Sequence, residues 1–233
     1  MELIGKTYAD IIFKHDGCRI VQACIKHGSM KQKEAIVDHI KPFVVQMMSQ
    51  KYSNHLAQKA FYYAPKEEQK KFFRTHVSQQ IGKLILHQHA SEVIEYIYSQ
   101  TDQEKDRRSM VYSFYGQYFL LLKQLDDTVS ADGQASLKQF MEAKPQLAEP
   151  ILEKIEGIVQ KLVEKGMARH SIVQAIILDY ILAQKDIEKV RWLAESMKEK
   201  LPSLLASKQG LRVACALFNV LDAKDRKLVV KSV

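Results

Sequence analysis

The feature that most constrains this chain is that it resembles itself. The segment "HDGCRIVQACIKHG", residues 15–28, is echoed by "KYSNHLAQKAFYYA" from Lys51, "HASEVIEYIYSQ" from His89, "MARHSIVQAIILDY" from Met167 and "KQGLRVACALFNVL" from Lys208. In each, a small or polar residue precedes two variable residues and two apolar ones, and then Gln, Glu or Cys heads a hydrophobic stretch. Taking that last position as an anchor gives Gln22, Gln58, Glu95, Gln174 and Cys215, separated by 36, 37, 79 and 41 residues. A unit that recurs every few tens of residues cannot bury its apolar side alone, so neighbours must stack and share a core.

The gap of 79 holds about two repeats. Inside it, "YGQYFLLLKQL" places Gln117, Tyr118 and Leu121 in the equivalent positions, 26 residues after Glu95 and 53 before Gln174. One repeat is therefore irregular. The stretch "DDTVSADGQASLKQFMEAKPQLAEP" supplies the extra length, and residues 125–150 are expected to form an insertion, a loop with a short helix lying on one surface.

Between the echoes the sequence reads as further helices. "KQKEAIVDHIKPFVVQMMSQ" is amphipathic and interrupted by Pro42, "PKEEQKKFFRTHVSQQIGKLILH" starts a helix after Pro65, and "EPILEKIEGIVQKLVEKG" ends at Gly166. No stretch alternates as a strand. The expectation is an all-α chain with about three helices per repeat. In the first echo Ile20, Val21, Cys24 and Ile25 fall at helical spacing, with Cys18, Arg19 and Gln22 on a neighbouring face. Cys18 and Cys24 read as core or near-core thiols, and Tyr62, Tyr63, Phe72, Phe73, Tyr96 and Tyr98 as inter-repeat core.

Charge narrows the partners. Lys and Arg together number 35 against 27 Asp and Glu, a formal net charge of +8. Residues 1–116 carry 17 basic and 12 acidic side chains, leaving 18 and 15 for the rest, so the excess forms a long mildly basic surface. Such a surface favours polyanions, since each neutralised phosphate releases counterions. No apolar run approaches the ~20 residues that span a bilayer and no signal-peptide pattern opens the chain, so no membrane partner and an intracellular setting are expected. Three cysteines at irregular spacing make no disulfide framework. His87 and His89, two apart, point to different helix faces and make a poor metal pair. With no glycine-rich phosphate loop, paired carboxylates or cofactor motif, neither an enzymatic activity nor a cofactor is expected.

At the anchors the residues resemble the Pumilio, or PUF, repeat family. The resemblance implies a right-handed α-solenoid of about six PUF-type three-helix repeats, one irregular. It also implies that the second helix of each repeat offers three side chains to one RNA base: residues i and i+4 read the base edge and i+1 stacks on it. On a helix i and i+4 share a face with i+1 beside them, so the spacing suits the task. Carried over, Cys18 and Gln22 are edge readers around the stacker Arg19, similar to an adenine set, and Asn54 and Gln58 around His55 resemble a uracil set. Ser91 and Glu95 resemble a guanine set at the edges, but Glu92 stands where a stacker belongs. Gln117 and Tyr118 keep an aromatic without the second edge contact, His170 and Gln174 flank the poor stacker Ser171, and of Leu211, Arg212 and Cys215 only Arg212 can stack. Asn54 and Gln58 are expected to point into a groove, so that replacing them leaves stability unchanged.

The triplets erode along the chain, and this, with "FYGQYFLLLK" and "GLRVACALFNVLDAKDRKLVVKS", resembles the divergent nucleolar Puf-A-like branch. The resemblance runs from about residue 10 to the C-terminus. It implies RNA, including structured RNA, or DNA as ligand with little base preference. It also implies pre-ribosomal proteins as partners, a monomer, a nuclear and nucleolar location, and a role in large-subunit assembly or translational regulation. Residues 1–233 are read as a single array, itself part of a longer one because neither end carries a polar-faced cap. The alternative, favoured by Glu92 and Glu95, is a HEAT- or armadillo-like scaffold that receives a peptide or ribosomal protein.

Overall fold

The computed structural model of the protein describes residues 8–116, 119–120 and 137–232. Among these residues every regular element is helical, and the chain divides into two compact units, Met1–Gln103 and Glu104–Val233.

The N-terminal unit runs α1 (Tyr8–Ile11), α2 (His15–His27), α3 (Met30–Ile40), α4 (Val44–Met48), α5 (Ser53–Tyr63), α6 (Glu67–Leu84) and α7 (Gln88–Ser99). Local signals set these bounds. Ser29 and Gln32 form a reciprocal capping box at the start of α3, and Pro42 sits in a 3₁₀ turn, Lys41–Phe43, that separates α3 from α4. The helix after Pro65 starts at Glu67. The echo helices stack side by side, α2 on α5 and α5 on α7, and bury Val21, Ile25, Leu56, Ala57, Phe61, Ile94 and Ile97. At the threefold-fourfold spacing of a helix face, the buried stripe of α2 is Cys18, Val21 and Ile25. This corrects two expectations: Ile20 is 63% exposed and Cys24 is exposed.

A shared steric demand explains the small residue that opens the echoes. At the starts of α2, α5 and α14 the chain presses on a carbonyl six residues back. A Cβ on Gly17 would collide with the Ile11 carbonyl and one on Gly210 with the Leu204 carbonyl, whereas Ser53 at the same register turns the approach into a hydrogen bond, its Oγ donating to the Met47 carbonyl at 3.0 Å.

The C-terminal unit runs α8 (Glu104–Tyr112), α9 (Leu137–Ala143), α10 (Pro145–Glu164), α11 (Ser171–Ala183), α12 (Ile187–Met197), α13 (Leu201–Leu204), α14 (Lys208–Val220) and α15 (Ala223–Lys231). Of the expected insertion, residues 125–136 lie outside the described residues. The remainder is the short helix α9, which buries Leu137 and Phe140 and packs on α11 in the core, and the start of α10, where residues 145–150 are exposed or half-buried. α10 begins at Pro145, earlier than the sequence suggests, and carries Pro150 inside it at the loss of one backbone hydrogen bond. It ends at Glu164, two residues before Gly166, whose φ of 70° is the left-handed region that glycine adopts without strain.

This unit also contains a buried polar network. Arg108 donates to both oxygens of Asp179 at 3.0 and 2.9 Å, and the Tyr115 hydroxyl donates to Asp179 Oδ2 at 2.8 Å. Burial pushes the Tyr112 hydroxyl up to about 12 and Tyr115 well above the ordinary tyrosine value.

Candidate nucleic-acid interface

In the N-terminal unit the three positions of each triplet have different fates. The first is buried and its donor is used by the chain itself. The Cys18 thiol donates to the Tyr52 carbonyl at 3.4 Å and receives the Gln22 Nε2 at 3.3 Å, and burial raises its pKa. Asn54, 5% exposed, donates through Nδ2 to the Gln50 and Lys51 carbonyls at 2.8 and 2.9 Å. Ser91 donates to the Gln88 carbonyl at 3.1 Å and is buried. The expectation that Asn54 points into a groove is therefore corrected: it closes the turn ahead of α5, and its loss removes two side-chain hydrogen bonds, leaving the Gln50 carbonyl only the Asn54 N–H. The second position, Arg19, His55 and Glu92, is exposed, and the last, Gln22, Gln58 and Glu95, is half-buried. What a ligand meets first is a row of second and last positions on three adjacent helices, cationic or neutral on α2 and α5 and acidic on α7.

The C-terminal unit treats the same register differently. Gln174 is 3% exposed and spends its whole amide internally: Nε2 donates to the Ala168 and Arg169 carbonyls at 3.0 and 3.4 Å, and Oε1 accepts from Ser207 Oγ at 2.5 Å. Ser207 in turn caps α14 by accepting from the Gly210 N–H at 2.9 Å. Gln174 thus ties one repeat helix to the start of the next, and its reading as a base contact is corrected. His170, the N-terminal flanking residue of α11, is buried as well. Leu211, Arg212 and Cys215 are exposed on α14. Gln117 and Tyr118 lie outside the described residues.

Two residues on α5 were missed by the triplet reading. Lys59 lies half-buried beside Gln58 and close enough to lower the pKa of Cys18 against burial, and Tyr62 is exposed although it was expected in the core. Both sit at helical steps from His55, at i+4 and i+7, which is the signal that could have found them. Of the other aromatics, Phe73 and Tyr98 are buried as expected, and Tyr63, Phe72 and Tyr96 are half-buried. His87 is a helix cap, its Nδ1 accepting from the His89 and Ala90 N–H groups, and among the described residues no three His, Cys, Asp or Glu side chains gather as a metal site. No helix among the described residues is long and apolar enough to cross a membrane.

A model of the Pumilio-family RNA binding repeat matches residues 17–41 and 43–74, the segment that carries the Arg19 and His55 rows. The Pumilio homology domain family member 6 of Schizosaccharomyces pombe is 28% identical over 231 residues, 99% of this chain and 35% of that protein, and human Pumilio homolog 3 is 26% identical over 233 residues, 99% of this chain and 34% of that protein. The crystal structure of human Puf-A superposes with a TM-score of 0.85 at 25% identity, covering 99% of this chain and 44% of that one. The chain is similar to the Pumilio repeat family, and within it to the Puf-A-like branch. It spans about a third of the length of its curated Pumilio relatives. Human Puf-A in complex with DNA gives a TM-score of 0.86, at 25% identity over 99% of this chain and 44% of that one. The family model covers α2 and α5, where Arg19 and His55 are exposed and Gln22 and Gln58 half-buried, and not α11, where Gln174 is buried.

Proposed function

We propose that this protein binds RNA, and DNA as a second ligand, mainly through the sugar-phosphate backbone, with residual base contacts from the first two repeats. The observation that carries the reading is the placement of exposed Arg19 and His55, with half-buried Gln22, Gln58 and Lys59, on helices that stack side by side. A guanidinium and an imidazole on such a row meet a strand by charge and by stacking. The buried first positions argue for low base specificity, since an edge reader already bonded to its own backbone must break that bond to read a base. The Pumilio RNA-binding repeat model and the likeness to Puf-A with DNA bound support the same reading. The likeness to the Puf-A-like branch supports extending it to a monomer acting in the nucleolus on large-subunit assembly with pre-ribosomal proteins, with translational regulation as the other process such repeats support.

The acidic pair on α7, Glu92 and Glu95, favours a second reading in which the array is a protein-docking scaffold. Affinity for a random-sequence single-stranded RNA, measured across a salt series, separates the two. Backbone binding predicts that log affinity falls with log salt at about 0.7 per phosphate contact and changes little when the sequence is scrambled. A slope near zero overturns it and favours the scaffold.

A further inference from the structure

Beyond the triplets, α5 continues its outward stripe to one more residue. Tyr62 lies seven positions after His55, about 10 Å further along the helix axis on the same side, with Gln58 and Lys59 between them. Tyr62 is 53% exposed. A single exposed tyrosine is ordinary, but this one is the outermost of a group. Tyr63 meets it edge to face, with ring centroids 4.9 Å apart, and Lys33 Nζ stands 4.9 Å from the centroid of the Tyr63 ring. Tyr96 stands on α7, which packs against α5, and burial pushes its hydroxyl up, with Tyr62 and Tyr63 adding to the rise. Tyr62 thus has the Tyr63 ring packed against it and about half of its surface open to solvent, with Lys33 over the neighbouring Tyr63 ring and Lys59 one turn back on the same helix.

A half-exposed aromatic ring packed in this way, with lysines in its neighbourhood, suits a flat, electron-rich partner attached to phosphate. We propose that Tyr62, supported by Tyr63, is a stacking platform for one unpaired nucleobase of a bound single strand, a contact separate from the triplet positions. It rests on the nucleic-acid reading above and goes beyond it by adding an attachment point that the repeat pattern does not mark. The base sits on the ring by stacking, which accepts any of the four bases, so the platform strengthens binding without adding sequence preference.

The test uses two strands of equal length and charge, a ten-nucleotide oligouridine and its fully abasic counterpart, titrated into the wild-type chain, Tyr62→Ala and Tyr62→Phe, with thermal unfolding of all three. The proposal expects the wild type to favour the base-bearing strand. Tyr62→Ala should lower affinity for that strand by about five-fold or more and leave the abasic strand unchanged, while Tyr62→Phe, which keeps the ring, matches the wild type. Equal affinities of wild type and Tyr62→Ala for oligouridine overturn the platform, leave backbone binding intact, and free the patch for a protein partner. An equal loss on both strands also overturns it, because the residue then acts without a base. If the wild type binds neither strand, the platform and the nucleic-acid reading fall together.

Discussion

Gln58 and Gln174 stand at one register of two repeat helices, yet they do different work. Gln58, on α5 of the N-terminal unit, is half-buried beside His55 and Lys59 on an outward row. Gln174, on α11 of the C-terminal unit, is enclosed and bonded on both sides of its amide. What separates them is the neighbour: Ser207, 33 residues further on, offers a hydroxyl that Gln174 accepts. A repeat motif therefore marks a place in the stack and not a task. The task is set by whether the next repeat reaches that place.

The largest effect that can break this contrast concerns the polar network of the C-terminal unit. Asp179→Ala leaves the Arg108 guanidinium and the Tyr115 hydroxyl without their shared acceptor, and should cost about 3–5 kcal/mol of that unit's stability. Calorimetry resolves it as a lowered melting transition. A shift under 1 °C would mean that the network contributes nothing.

The contrast is sharpened by the two glutamines themselves. Gln174→Ala strands the Ser207 cap and the Ala168 carbonyl and should cost about 1–3 kcal/mol, whereas Gln58→Ala should stay within about 0.5 kcal/mol and weaken RNA binding instead. Urea unfolding followed by an RNA titration gives both readouts. Equal destabilisation by the two substitutions would erase the distinction.

A smaller effect follows from the tyrosines. The folded values of Tyr112 and Tyr115 are raised above the ordinary 10, so the folded state holds protons that the unfolded chain has released. The stability this contributes is complete below pH 10 and is lost as pH climbs toward about 12. Melting temperature should therefore fall between pH 10 and 12, and Tyr112→Phe should show a shallower fall. Parallel curves for the two proteins would remove Tyr112 as a source of the alkaline loss.

Much of the stack is legible in the sequence because its causes are local. The anchors at Gln22, Gln58 and Glu95 fall on equivalent helices, Pro42 divides α3 from α4, and α10 stops two residues before Gly166, each through a rule that acts within a few residues. The site is less legible because burial is decided at a distance. Cys18 reads equally well as a polar-face or a core residue until the Tyr52 carbonyl, 34 residues away, accepts its thiol's hydrogen bond. Nothing near Gln174 announces Ser207, and Arg108 and Asp179 are 71 residues apart. Tyr62 was misread for the opposite reason: a large ring at helical spacing suggests core, and only its place on the His55 stripe turns it outward.

The central claim is that the strand lies on the outward row of the N-terminal unit, and matched charge removal tests it most directly. One variant combines Arg19→Gln with Lys59→Gln; the other combines Lys208→Gln with Arg212→Gln on α14, so each loses two positive charges from exposed or half-buried positions. Affinity for a single-stranded RNA is measured at several salt concentrations for both variants and the wild type. The account predicts that the first variant loses about ten-fold in affinity at low salt and flattens the salt slope by about 1.4, the share of two phosphate contacts, while the second changes both quantities much less. Equal losses in the two variants, or a larger loss from the α14 pair, would contradict it.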